Sequence, residues 1–204
     1  IMSSHHTRKE STSQSTGGEY GVWKARGETL ATLLERFRDE QQLSLDTKLT
    51  YAGRLDPMAE GLVLVLAGDA RFKKDALIGA SKVYEMQILL GIGTDTDDVL
   101  GLVTKVVYTT VDQEKIAQTI SAITTITKLP YPMYSSVPVA GVPLFVHARA
   151  GRSIDVPYKK CTIYNVELGS VQHRFLRDFV PEIVNDVALV QGDFRQATII
   201  EGWH

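Results

Sequence analysis

The residues best suited to chemistry lie in one stretch, YAGRLDPMAEGLVLVLAG, Tyr51 to Gly68. Arg54 and Asp56 stand at the edge of an apolar run, Leu62 to Ala67. Pro57 biases Asp56 out of the helical region and fixes the φ that follows. Asp-Pro is a good Ncap–N1 pair, so Asp56 can cap a helix that starts at Pro57. The same turn can instead hold a carboxylate rigidly over a cleft as a nucleophile. Gly53 and Gly61 on either side suit a backbone brought close to a ligand. Taken alone, the tripeptide Leu55-Asp56-Pro57 favours the cap. A second acidic run, Thr94 to Asp98 (TDTDD), reads as a hydrated turn or a weak cation site. It lacks the twelve-residue calcium loop and its closing glutamate.

The elements that must position these groups follow from periodicity. EYGVWKA reads as a strand. Leu30, Leu33, Leu34 and Phe37 recur at helical spacing, which predicts a helix over Glu28 to Gln42. LVLVLA is a strand buried on both faces, and DARFKKDALIGA a helix ending at Gly79. KVYEMQILLGI and GLVTKVVYTTV are strands around the TDTDD loop. Asp112 is an N-cap for a helix with Ile116, Ile120 and Ile123 on one face. Five of the seven prolines fall between Pro130 and Pro157. That segment reads as an ordered functional loop with a short helix near Leu144 to Ala150. YKKCTIYNVELGSV and IVNDVALVQG are expected to be further strands. Strands with helices between and after them predict an α+β fold with a mainly antiparallel sheet.

Composition narrows the class. The chain has 204 residues, 44% of them hydrophobic and 23% charged, with net charge -2. This fits one domain over residues 19–204 behind a polar, Ser/Thr-rich tail, residues 1–18, expected to be disordered. The balance argues against a strongly basic nucleic-acid binder without excluding one, because a local basic face is enough. Cys161 is the one cysteine, which excludes an internal disulfide and offers no metal-ligand spacing. A cytoplasmic location is expected, with no membrane segment and no signal peptide.

GRLDPMAEGLVLVL resembles the catalytic motif of the pseudouridine synthases, and its LDP form resembles the TruB family in particular. The resemblance continues in order along the chain. KVYEMQILLGIGTDTDDVLG is similar to the family's Lys-x-Tyr strand, Leu-Gly and Thr-Asp-Thr loop. YPMYSSVPVAGVPLFVHARAG is similar to its Pro-x-Tyr-Ser, Gly-x-Pro-Leu and Ala-Arg-x-Gly segments. VWKARGET and VALVQGDFRQATII resemble its first and last motifs, so the likeness runs from about Tyr20 to the end.

The resemblance implies a pseudouridine synthase core: a bent, mainly antiparallel sheet with flanking helices and a thumb-like loop. It implies an isomerase (an intramolecular transferase) acting on tRNA at the T-arm, on the T-loop uridine (tRNA position 55). No cofactor, metal, membrane or obligate protein partner is implied, and a monomer is expected. Such an enzyme flips the uridine out of its stack. Asp56 is then the nucleophile and Arg195 the cation that pairs with it. Tyr84 stacks on the base and offers a hydroxyl for the C5 proton. Asp98 belongs to the network that holds the base and Arg195. Lys24 and Arg54 face the RNA backbone, and Arg149 and Arg152 meet phosphates from the thumb, which includes Tyr134. Plainer roles stand beside these: Tyr84 as a strand aromatic, Arg195 as a surface arginine, Tyr134 as loop packing.

The chain also departs from the pattern. Tyr51 stands where the family usually has a histidine and would wedge or stack in its place. Arg54 replaces a usual threonine, as in the Gly-Arg-Leu-Asp of the RsuA and RluA groups. In GDFRQ the arginine has moved relative to the family's Gly-Thr-Tyr-Ile-Arg. A chain ending at His204 is expected to lack the C-terminal PUA module of many relatives. The alternatives are a synthase for another RNA such as ribosomal RNA, and an inactive RNA-binding or RNA-folding protein. A small-molecule isomerase is a remote third.

Overall fold

The computed structural model describes residues 17–108 and 110–204, so most of the expected tail lies outside the described residues. The chain divides into two compact units. One runs up to Tyr84 and includes Leu189–Gly192; the other comprises Glu85–Ala188 and Asp193–His204. Among the described residues every strand pairing is antiparallel. The mixture of helix and antiparallel strand agrees with the expected α+β class.

The first unit contains β1 (Gly18–Lys24), α1 (Leu30–Glu40), β2 (Leu49–Ala52), β3 (Gly61–Ala67), a 3-10 turn (Gly68–Lys73) and α2 (Lys74–Ile78). Strand β1 already includes Gly18, which pairs with Ala67. The strands lie in the order β1-β3-β2, with Val22 opposite Val63 and Tyr51 opposite Val65. Val22, Val63 and Val65 pack with Leu33 and Phe37 of α1 into one core. The rings of Tyr20 and Phe37 meet at 5.0 Å. Burial of these apolar side chains is the main force holding α1 on the sheet. Helix α1 starts at Leu30 rather than Glu28 because Thr29 and Thr32 form a reciprocal capping box. Strand β3 is buried on both faces only in its second half; Leu62 is 70% exposed.

The second unit begins with β4 (Ile92–Thr94), β5 (Val103–Val106), α3 (Gln113–Ile123) and β6 (Lys128–Pro130). It continues with β7 (Pro138–Val139), β8 (Val142–Pro143), α4 (Leu144–Arg149), β9 (Tyr158–Lys160), α5 (Leu176–Ala188) and α6 (Gln196–Trp203). Asp112 caps α3 as expected, accepting from the Glu114 and Lys115 N–H groups. Strands β7 and β8 form a two-residue hairpin whose Ala140 and Gly141 both have positive φ, the geometry that matches strand twist.

Three strand expectations fail here. Residues 81–89 carry no regular structure, and only Ile92–Thr94 forms a strand. Alternation reports which face a side chain takes, but a strand also needs a neighbour to complete its ladder. The β4–β5 ladder ends where the Val107 N–H donates to the Gly91 carbonyl. YKKCTIYNVELGSV keeps only Tyr158–Lys160 as strand. IVNDVALVQG contributes to a helix, α5. Its β-branched residues suggested a strand, but Phe179, Ile183 and Val187 recur every four residues and fall on one helical face.

Candidate active site

No helix follows Asp56. The chain makes a turn instead, closed by the Ala59 N–H donating to the Asp56 carbonyl at 3.0 Å, with Pro57 at its second position. The cap reading therefore falls away, and the Asp56 side chain is exposed on the connection between β2 and β3. Gly53 (φ 87°) and Gly61 (φ 147°) bracket this connection in conformations that side-chain-bearing residues rarely adopt.

Lys24 holds the turn from beneath. Its side chain is 0% exposed. Its ammonium donates to the carbonyls of Ala59 at 2.6 Å, Pro57 at 3.2 Å and Ala25 at 3.2 Å. The Gly27 N–H adds a 2.8 Å bond to the Pro57 carbonyl. Burial pushes the Lys24 ammonium down, and the charges of Glu28, Asp56 and Glu60 oppose that without cancelling it. Lys24 thus does not present its charge to an RNA backbone, contrary to expectation: all its donors serve carbonyls of its own fold. Glu28, also buried, accepts from Arg36 at 2.8 Å and from the Ala25 N–H at 3.1 Å. Burial raises the Glu28 carboxyl, but the Arg36 bonds prevail and hold it below its usual range.

Around the turn, Arg54 is exposed and Tyr51 half-buried on β2. The Lys74 ammonium stands 5.2 Å from the centre of the Tyr51 ring. Tyr84 is 61% exposed in the irregular segment that follows α2.

In the second unit the structure brings three side chains together. The Arg195 guanidinium pairs with Asp95, Nη1 lying 3.0 Å from Oδ2. The Tyr134 hydroxyl donates to the same Oδ2 at 2.9 Å, and the guanidinium lies 5.3 Å from the Tyr134 ring centre. The Leu102 N–H donates to Asp95 Oδ1 at 2.7 Å. Burial pushes the Asp95 carboxyl up, but the bonds from Arg195, Leu102 and Tyr134 outweigh it and hold the group below the usual carboxylate range. Burial and the bond to Asp95 push the Tyr134 phenol up, so it stays a donor.

Arg195 does not follow a strand. It is the residue before α6, with a left-handed φ of 65°, a conformation uncommon outside glycine and costly by about 1 kcal/mol. The acid that meets it is Asp95, where Asp98 was expected. Asp98 turns into its own loop, accepting from the Leu100 N–H and the Thr96 hydroxyl. Asp95 was missed because both acids fit the motif. The local signal is positional: Asp95 directly follows β4 and bonds to Leu102 in both directions, whereas Asp98 closes an Asx turn at the tip. Arg149 and Arg152 are exposed, Arg149 on α4 and Arg152 just past it, where its N–H donates to the His147 carbonyl.

The sequence matches the model of the TruB family pseudouridylate synthase (N terminal domain) over residues 41–188. The chain belongs to that family. It is 35% identical over 154 residues to tRNA pseudouridine synthase B of Aromatoleum aromaticum, a match covering 76% of this chain and 49% of that protein. It is 38% identical to the protein of the same name from Pediococcus pentosaceus, over 58% of this chain and 40% of the relative. The Limosilactobacillus reuteri protein is 33% identical, over 74% of this chain and 50% of its own length. The chain thus spans about half the length, or less, of these curated relatives. Among the described residues no helix is long and apolar enough to cross a membrane.

Proposed function

We propose that this chain carries the catalytic portion of a tRNA pseudouridine synthase that acts on the T-loop uridine of the T-arm. The observation that carries the reading is the Asp56 turn. It leaves a carboxylate exposed with no helix to cap, on a backbone that a buried lysine fixes from behind. Family membership and relatives named tRNA pseudouridine synthase B support the same reading.

In this reading the uridine is flipped into a pocket at a cost of a few kcal/mol. Asp56 attacks C1′ of the ribose as nucleophile, and the bond between C1′ and N1 of uracil breaks with its electron pair left on N1. The base rotates, C5 bonds to C1′ as the bond from Asp56 to C1′ breaks, and C5 gives up its proton while N1 gains one. Tyr84 stacks on the base, and its hydroxyl oxygen takes that proton as its own passes on toward N1. Arg195 is the counter-charge of Asp56, held in readiness by Asp95 and Tyr134. Arg54 and the thumb residues Arg149 and Arg152 meet RNA phosphates, and Tyr51 wedges or stacks in place of the histidine that the family resemblance implies. The Pro-rich segment is the thumb, and the antiparallel ladders are parts of the family's bent sheet.

The site is tested with tRNA transcripts in which only the T-loop uridine carries a C5 tritium. Release of tritium at that position, and none when the label sits at other uridines, is the expected result. Release confined to ribosomal RNA transcripts would move the activity to the alternative substrate.

A further inference from the structure

Strands β6 and β9 form a small ribbon, and the reading above gives its exposed face no role. Their register places Lys128 opposite Lys160 and Pro130 opposite Tyr158. Directly paired residues share a face, so Lys128, Pro130, Tyr158 and Lys160 stand on one side of the ribbon. All four are exposed. The Lys128 ammonium lies 4.6 Å from the centre of the Tyr158 ring. Among the described residues neither Lys128 nor Lys160 forms an ion pair. Like charges directly opposite in a ladder destabilise it. The Lys128–Tyr158 contact offsets part of that repulsion, and a partner that is itself negative would remove the rest.

We propose that this face of the β6–β9 ribbon is an RNA-binding surface: Lys128 and Lys160 take adjacent phosphates, and the exposed Tyr158 ring takes a base or ribose. Two cations flanking an aromatic ring fit a single strand or loop, in which charge and a stackable plane alternate. A bilayer surface would need an apolar side chain to insert, and the exposed residues of this face offer only a tyrosine and a proline. The surface rests on the RNA reading above but not on the isomerase chemistry.

The test is the salt dependence of binding to an unmodified tRNA transcript, using the full chain. Lys128→Ala with Lys160→Ala should flatten the slope of log K against log salt by about 1.5, two phosphate contacts' worth. Lys160→Glu, which can pair with Lys128, should raise the melting temperature while weakening tRNA binding. Those opposite signs separate a binding role from a structural one. An unchanged slope in a folded double variant would overturn the proposal. So would binding to anionic lipid vesicles that the variants lose while tRNA binding persists. Tritium release measured on the same samples keeps the two readings apart: a wild type that binds through these lysines but releases nothing would sink the synthase and leave the surface standing.

Discussion

The Asp56 turn and the Arg195 cluster solve the same problem, holding a charged side chain in place, by opposite means. In the first, the backbone is held and the carboxylate side chain is left alone. Lys24 and Gly27 bind main-chain carbonyls of the turn, and the Asp56 carboxylate stays exposed. In the second, the side chains hold one another: Arg195, Asp95 and Tyr134 spend their polar atoms mutually. A group fixed through its backbone can be changed without disturbing the fold. A group fixed through its side chain cannot.

The largest effect separates these cases most sharply. Asp56→Asn should cut turnover by about ten-thousandfold, as for other residues at the chemical step, and leave the melting temperature where it was. Next comes the support of the turn. Lys24→Met keeps the apolar stem but removes donors from three carbonyls. The Pro57 and Ala25 carbonyls keep backbone donors in Gly27 and Glu28, and the Ala59 carbonyl loses its donor. The cost should therefore be about 2 kcal/mol of stability, the penalty for an acceptor left unpaired, read from a urea midpoint. Activity should fall with it. Tyr134→Phe removes one hydroxyl from Asp95 and keeps the ring beneath Arg195, so about 1 kcal/mol is expected, with a smaller loss of turnover.

The smallest effect is on acid stability. The folded Asp95 carboxyl sits below its ordinary value, so its contribution is fully present above the unfolded pKa, about 4. That contribution is lost as pH falls through the depressed folded value. Wild type should therefore lose stability as pH falls below about 4, as denaturation midpoints would show, more steeply than Asp95→Asn, which has no such group to protonate.

What could be read from sequence divides along the same line. Helix α1 was legible because its periodicity and its core face agree, and Asp112 because N-caps are local chemistry. Asp56 was legible as a special residue, though only the absence of a following helix removes its capping role. Lys24 was misread because burial of a lysine depends on where distant carbonyls fall, here those of Pro57 and Ala59. Asp95 was passed over for Asp98 because their difference lies in ladder position, which the spacing of acids does not encode. The segment around Tyr84 and the helix α5 failed for a related reason. Alternation and β-branching describe side chains, whereas strand formation is decided by a neighbour.

One measurement tests the central claim, that the exposed carboxylate of the 56–59 turn carries a uridine isomerisation. It is tritium release from unmodified tRNA labelled at C5 of uracil, wild type beside Asp56→Asn, with tRNA binding measured on both. The account predicts release by the wild type, none by the variant, and equal binding. Release by Asp56→Asn at the wild-type rate would contradict it, because the turn would then hold a carboxylate that the reaction does not use.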